Sequence, residues 1–199
     1  MQRTEFLAVF ARHRGAAVVI VGPGIASREV FALAHTEATL YQMEMAYATP
    51  LCLGLALAKE DSRAIAIEGD GSILAGLGVL TTIGRYQPPN LTLIILDNGL
   101  YSTIESRAHP AIESATAAGT DLADVARACG IQRVVTVWTV AEADEALQRA
   151  VREPGPWVIV AKVPHIPPES DPRAATPPDL FENSLSFARA VYARAEAAD

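Results

Sequence analysis

Five continuous apolar runs, separated by segments with helical periodicity, constrain the fold of this chain more than any other feature. The runs lie at 16–24, 63–68, 91–96, 133–138 and 156–163. Because they are apolar throughout rather than alternating with polar residues, the strands that they predict are buried on both faces. Such strands, when they alternate with helices, form a parallel sheet covered on both sides. We therefore predict an α/β fold, doubly wound, with a mostly parallel sheet and helices on both faces.

Helices are predicted between these strands, and a proline-rich segment divides the chain near its C-terminus. Apolar residues recur at helical spacing in 2–13, 25–33, 51–60, 72–86, 121–130 and 140–151, while 39–50 is predicted as a short strand or loop. We expect residues 1–163 to form one domain and residues 164–178 to form an extended linker. Residues 179–199 are predicted as a C-terminal amphipathic helix, which packs either on its own domain or on a second subunit.

Composition narrows the class of protein. The chain has 199 residues, is 50% hydrophobic and carries a net charge of −7 without a basic run, which argues against a nucleic-acid partner. No apolar stretch approaches the roughly 18 residues of a membrane span. Because the first residues also lack the apolar core of a signal peptide, a cytoplasmic protein is expected. Cys52 and Cys129 have no ligand-like spacing and are predicted as reduced core residues.

Polar residues follow two of the predicted strands. Asp70, between Gly69 and Gly71, follows the second long run, and Asn98 follows the third. If these strands are neighbours, their carboxyl ends lie about 5 Å apart, where ligands bind in open parallel sheets. Carboxylate and amide oxygens suit Mg²⁺ or Ca²⁺, and the glycines would let the main chain turn sharply beside the ion. Ser72 would open a helix whose N–H groups and hydroxyl hold a phosphate.

The segment 69–101 resembles the signature of thiamine-diphosphate-dependent enzymes, in which Gly-Asp-Gly is followed, after a helix and a strand, by Asn. The resemblance covers about residues 15–163 and implies the diphosphate-binding, C-terminal-type domain, with thiamine diphosphate and Mg²⁺ as cofactors. The Mg²⁺ ligands that it implies are the side chains of Asp70 and Asn98 and the carbonyl oxygen of Leu100. The cofactor-binding residues that it implies are Gly69, Asp70, Gly71, Ser72, Asn98, Leu100 and Tyr101.

The same resemblance implies a bulky apolar residue beneath the cofactor. Met45 would be that support, and Met43 would lie near the pyrimidine through its backbone; ordinary core packing is the alternative for both. Relatives often read Gly-x-Met-Gly at this point, where this chain has Met43 and Ala46. Glu44 and Glu105 are the candidate catalytic carboxylates, the first beside Met45 and the second near a position where related decarboxylases keep a glutamate. A solvated or interface glutamate is the alternative for Glu44.

The family also requires a glutamate that binds the pyrimidine nitrogen, and it carries this residue on a separate domain. A chain of 199 residues holds only one such domain, so the resemblance implies the β subunit of a split enzyme. An α subunit would supply the glutamate in an α2β2 or larger heteromer. Among such enzymes the sequence is most similar to sulfopyruvate decarboxylase β subunits and phosphonopyruvate decarboxylases. The implied activity is decarboxylation of a small anionic 2-oxo acid.

Three other interpretations remain open. An acetolactate-synthase-like carboligase shares the cofactor and the carbanion–enamine intermediate with a decarboxylase. In the decarboxylase a proton captures this intermediate, and in the carboligase a second carbonyl compound does. A non-catalytic binding or assembly subunit would keep the fold without turnover. A nucleotide-binding α/β domain is suggested by residues 19–30, where a glycine-rich turn follows a strand. That segment lacks the full Gly-x-Gly-x-x-Gly pattern and an acidic residue about 20 positions later.

Overall fold

A computed structural model of the chain describes residues 1–41, 44–101, 110–165 and 177–196. Its helices are α1 (Arg3–His13), α2 (Ile25–Ala34), α3 (Ala48–Ala58), α4 (Asp70–Ala75), α5 (Val79–Tyr86), α6 (Leu122–Ala128), α7 (Val140–Arg152) and α8 (Leu180–Glu196). Its strands are β1 (Val18–Val21), β2 (Thr39–Tyr41), β3 (Ala64–Gly69), β4 (Leu91–Asp97), β5 (Leu100–Tyr101), β6 (Ile112–Glu113), β7 (Arg133–Val137) and β8 (Trp157–Lys162). Among the described residues, no helix combines the length and the apolar character needed to cross a membrane.

Six strands form one parallel sheet in the order β2-β1-β3-β4-β8-β7, which confirms the predicted fold class. The chain winds outward from β1 in both directions, so β1 and β3 flank a topological switch point, where open α/β sheets bind their ligands. Gly69 at the end of β3 pairs with Leu96 near the end of β4. The residues that follow these two strands therefore lie side by side, as the sequence predicted.

Helices bury both faces of the sheet. On one face the core includes side chains of α3, α5, α6 and α8, among them Cys52, Leu80, Leu122 and Phe187. On the other face it includes side chains of α1, α2 and α7, among them Phe6, Phe10, Val30 and Leu147. Both cysteines are unpaired; Cys52 is buried as predicted, and Cys129 is half-buried.

The predicted helix over 72–86 is wrong as a single element, because α4 ends at Ala75 and α5 begins at Val79. A Cβ atom on Gly76 would lie 2.7 Å from the Cβ atom of Ala46, so close packing of another segment explains this glycine. A Cβ atom on Gly78 would meet nothing within 4 Å, so close packing does not explain the glycine at position 78. The two-residue antiparallel pair β5–β6 was not predicted either.

The C-terminal helix α8 lies against its own chain, at the open edge of the sheet. The side chain of Asn183 accepts a hydrogen bond from the N–H of Tyr41 at 3.0 Å and donates one to the carbonyl of Thr39 at 2.9 Å. The backbone N–H and C=O groups of an edge strand are otherwise free to pair with other chains, and here a side-chain amide hydrogen-bonds one of each. Most of the predicted linker over 164–178 lies outside the described residues.

Candidate cofactor site

A pocket opens at the switch point, beside the carboxyl ends of β1, β3 and β4. It brings together most of the predicted site residues, namely Met45, Gly69, Asp70, Gly71, Ser72, Asn98, Leu100 and Tyr101. Glu44 is exposed and does not line this pocket. Met43 and Glu105 lie outside the described residues. The pocket thus combines the proposed metal ligands with the proposed diphosphate contacts, and it leaves Glu44 apart from them.

Two helices begin at this pocket. Gly24, Ile25 and Ala26, at the start of α2, line it together with Asp70 at the start of α4. The residues that precede the two helices are glycines, so no side chain caps the first N–H groups of either helix. Free N–H groups and the positive end of the helix dipole favour a bound anion. The glycine-rich turn that resembled a nucleotide-binding fragment therefore lines this same pocket.

Asp70 is buried at the base of the pocket and is held by two hydroxyl groups. Its Oδ2 accepts hydrogen bonds from Ser114 Oγ at 2.5 Å and from Thr116 Oγ1 at 2.9 Å. Burial raises the pKa of Asp70 above the ordinary 3.8; the bond from Ser114 opposes this shift, and the nearby Asp97 carboxylate adds to it. A cation bound at this carboxylate would remove the cost of burying its charge.

The two other predicted metal ligands follow β4, Asn98 in the turn after it and Leu100 at the start of β5. The backbone N–H of Asn98 is near enough to the Asp70 carboxylate to lower its pKa, so the two residues are neighbours. The Oδ1 of Asn98 accepts a hydrogen bond from the N–H of Leu100 at 3.0 Å, which fixes the turn. A carboxylate, an amide oxygen and a backbone carbonyl are hard oxygen donors, and this donor set fits Mg²⁺.

The described residues contain no group of three or more His, Cys, Asp or Glu side chains that could hold a metal ion. The predicted Mg²⁺ site includes only one such side chain, Asp70. Its remaining protein ligands would be the oxygens of Asn98 and Leu100, and phosphate oxygens and water would complete the coordination shell, as Mg²⁺ commonly allows. The site therefore suits an ion that binds together with a phosphorylated cofactor.

Asp97 precedes Asn98 and forms a second carboxylate centre beside Asp70. Its Oδ2 lies 2.5 Å from Lys162 Nζ, and its Oδ1 lies 2.8 Å from Thr116 Oγ1, whose single proton can bond either this carboxylate or that of Asp70. Thr116 therefore contacts both carboxylates. Neither Ser114 nor Thr116 was predicted, because no sequence pattern indicates that the strand β6 returns this segment to the pocket.

The glycines beside Asp70 do not have the conformational role that was predicted. Gly69 has a φ of −79°, and neither Gly69 nor Gly71 is among the residues with positive φ, so any residue could make this turn. A Cβ atom on Gly71 would instead lie 2.5 Å from Cδ1 of Tyr101. Gly71 is therefore required by the close approach of an aromatic ring.

The side chain of Ser72 points into the protein. Its hydroxyl donates a hydrogen bond to Glu68 Oε2 and accepts one from the N–H of Ala46 at 2.9 Å. The prediction that this hydroxyl holds a phosphate is not supported by these contacts, and the backbone N–H groups of α4 are the remaining donors. Glu68 was also missed, although a charged residue at the end of an apolar strand was a signal for it.

Comparison with known proteins now decides the family. The profile of the thiamine pyrophosphate enzymes, C-terminal TPP-binding domain, matches residues 31–161, which is more than half of the chain. The chain belongs to the thiamine pyrophosphate enzyme family. The matched region includes Met45, Asp70 and Asn98 of the pocket, so the predicted family resemblance is confirmed.

Relatives of this thiamine pyrophosphate enzyme include both split and longer proteins. It is 36% identical over 147 residues to sulfopyruvate decarboxylase subunit beta of Methanocaldococcus jannaschii, covering 73% of this chain and 74% of that protein. It is 31% identical over 144 residues to phosphonopyruvate decarboxylase of Streptomyces viridochromogenes, covering 72% of this chain and 34% of that protein.

Solved structures show the same fold. The chain superimposes on the Rhodococcus jostii thiamine diphosphate-dependent 4-hydroxybenzoylformate decarboxylase with a TM-score of 0.69 at 21% identity. The superposition covers 83% of this chain and 33% of that protein, so this thiamine pyrophosphate enzyme spans about a third of the solved chain.

Proposed function

We propose that this chain is the β subunit of a split thiamine-diphosphate-dependent decarboxylase that acts on a small anionic 2-oxo acid, of the sulfopyruvate or phosphonopyruvate type. The observation that carries the proposal is the meeting of Asp70, Asn98 and Leu100 with the starts of α2 and α4 in one pocket. The names of the relatives, one of them a β subunit, support the reaction and the substrate class.

In this proposal the chain binds the diphosphate end of the cofactor. Asp70, Asn98 and the carbonyl of Leu100 would hold Mg²⁺, and the N–H groups that begin α2 and α4 would hold the diphosphate. Met45, which lines the same pocket, would support the cofactor from below. When bound, thiamine diphosphate supplies the electron sink that decarboxylation of a 2-oxo acid requires.

The carboxylates that line the pocket support the proposal of a partner chain. Among the described residues that line it, Asp70 is the only carboxylate, and Asp70 is assigned to the metal. We infer that an α subunit supplies the glutamate that activates the pyrimidine, in an α2β2 or larger heteromer. Met43, beside the pyrimidine, and Glu105, as a further catalytic carboxylate, remain part of the proposal.

Co-purification with a candidate α chain, followed by measurement of CO₂ release, tests this function. We expect release from sulfopyruvate or phosphonopyruvate, faster than from pyruvate, and dependent on both chains, thiamine diphosphate and Mg²⁺. The Asp70→Ala complex should be inactive. Formation of acetolactate from pyruvate would favour a carboligase instead, and a complex without turnover of any 2-oxo acid would contradict the proposal.

A further inference from the structure

A second buried carboxylate lies two residues before Asp70, outside the proposed metal site. Glu68, near the end of β3, is 1% exposed. Within the part of the chain that the structure describes, no lysine, arginine or histidine forms an ion pair with it. Burying a carboxylate without a cationic partner is costly unless hydrogen bonds satisfy it. Such a residue at the edge of a binding pocket therefore needs an explanation.

Three donors from two other elements converge on Glu68. Its Oε1 accepts hydrogen bonds from the N–H of Thr49 at 2.6 Å and from Thr49 Oγ1 at 2.8 Å. Its Oε2 accepts one from the hydroxyl of Ser72. Thr49 lies in the first turn of α3 and Ser72 in the first turn of α4. One carboxylate thus joins the end of β3 to the starts of two helices.

The same network reaches the turn that carries Met45. Ser72 Oγ accepts a hydrogen bond from the N–H of Ala46 at 2.9 Å, so Ser72 connects Glu68 to this turn. Met45 lines the cofactor pocket, whereas Glu68 does not. The position of Met45 therefore depends on contacts that Glu68 makes outside the pocket.

The turn at Ala46 is strained and needs such an anchor. Ala46 has a φ of +72°, a conformation that is uncommon for residues other than glycine. The left-handed region is unfavourable for an L-residue, because its Cβ atom comes too close to the following carbonyl oxygen. Relaxation of the backbone here would move Met45 away from its place in the pocket.

We propose that Glu68 is a positioning residue of the cofactor site, which holds the strained Met45–Ala46 turn against the start of α4 through Ser72 and Thr49. The inference rests on the proposed function, because the turn matters only if Met45 supports a cofactor. Glu68 acts through its neighbours and touches neither cofactor nor substrate.

Glu68→Gln is the most direct variant, because glutamine keeps the shape and can still accept from Thr49. It presents an amide to Ser72, so the hydroxyl loses its acceptor and the bond to Ala46 is weakened. By analogy with residues that orient metal ligands, we expect the Kd of thiamine diphosphate for the αβ complex to rise about 10-fold or more. An unchanged Kd would overturn the proposal.

Ala46→Gly provides the rescue that a purely structural role would not show. Glycine adopts positive φ freely, so the turn no longer needs its anchor. We expect Ala46→Gly to restore most of the affinity lost in Glu68→Gln, when each variant is compared with the wild type and with the double variant. If the effects of Ala46→Gly and Glu68→Gln on the binding free energy of thiamine diphosphate simply add, Glu68 does not act through the turn. Ser72→Ala removes the hydroxyl that joins Glu68 to the N–H of Ala46, and Ala46→Gly should restore its affinity as well. This second variant tests the proposal if Glu68→Gln folds poorly.

Amide hydrogen exchange separates failure of this inference from failure of the proposed function. In the full chain without cofactor, Glu68→Gln should speed exchange of the Ala46 N–H about 10-fold or more, while exchange in β8 stays unchanged. If the wild-type complex binds no thiamine diphosphate, the proposed function is wrong, and the exchange rate still decides whether Glu68 holds the turn. Equal exchange of Ala46 in both proteins would overturn the inference.

Discussion

The Arg3–Glu29 pair and the Asp70 carboxylate are both buried beside the same pocket, but their charges are compensated differently. Arg3 binds both oxygens of Glu29, with Nε–Oε2 at 2.5 Å and Nη2–Oε1 at 3.0 Å. Asp70 has no such cation in the described residues and accepts hydrogen bonds from hydroxyl groups instead. The folded chain therefore supplies a countercharge for the carboxylate of Glu29, whereas its described residues supply none for that of Asp70.

The difference indicates which carboxylate serves folding and which serves binding. An ion pair that joins α1 to α2 satisfies its own charges and needs no ligand. Burial disfavours the charged form of the Asp70 carboxylate and so raises its pKa, and a bound cation would favour that charged form. We therefore propose that Arg3–Glu29 serves stability and that Asp70 serves the metal.

The largest effect on stability is expected from Glu29→Gln. This change leaves the buried guanidinium of Arg3 without its countercharge, and breaking a buried pair in this way costs about 3–5 kcal/mol of unfolding free energy. Urea denaturation of the full chain measures it. The double variant Arg3→Met with Glu29→Leu removes both charges and should lose much less. A loss below about 1 kcal/mol in Glu29→Gln would show that Arg3–Glu29 contributes no more than an exposed ion pair.

Asp70→Asn should behave in the opposite way, with higher stability of the free chain and no Mg²⁺-dependent cofactor binding. Because the folded-state pKa of Asp70 is raised above 3.8, the folded state favours the protonated form. The stability that Asp70 contributes is present below that value and is lost as the pH rises through the folded-state pKa.

Asparagine stays neutral, so the stability advantage of Asp70→Asn over the wild type should grow as the pH rises above 3.8. Thermal unfolding of both proteins across a pH series measures this difference. A variant less stable than the wild type at neutral pH would show that the charge of Asp70 is already compensated without a metal.

The smallest effect is expected from Thr116→Val. The hydroxyl of Thr116 lies within hydrogen-bond distance of both Asp70 and Asp97 and donates its one proton to one of them, so its removal should cost about 1–3 kcal/mol of unfolding free energy. Thr116→Ser keeps the hydroxyl and is the matched control. If valine and serine variants unfold at the same urea concentration, hydroxyl donors do not stabilise these carboxylates.

The sequence allowed the meeting of Asp70 and Asn98 to be predicted, because it follows from local signals. Continuous apolar runs identify buried parallel strands, and the polar residues after them lie at one edge of the sheet by geometry alone. The strand before Asp70 and the strand before Asn98 are neighbours in the structure. The prediction that Asp70 and Asn98 share a cation depends on nothing more distant than this pairing, whereas Leu100 as a ligand was implied only by the family resemblance.

The remaining parts of the site depend on tertiary contacts that leave no local pattern. Thr116 lies near Asp70 because the two-residue strands β5 and β6 pair with each other, and such short strands have no periodicity to detect. The break between α4 and α5 begins at Gly76, which packs closely against Ala46 from another segment. Arg3 reaches the pocket from the N-terminal helix, which is far from Asp70 in sequence.

Calorimetric titration of thiamine diphosphate into the complex of this chain with its α partner, with and without Mg²⁺, tests the central claim most directly. We predict saturable binding that requires Mg²⁺ and disappears in Asp70→Asn. It should persist in Asp144→Asn, which changes a surface carboxylate bound to Arg12 and His13. Binding of equal affinity in Asp70→Asn and the wild type, or no binding by the wild-type complex in the presence of Mg²⁺, would contradict the account.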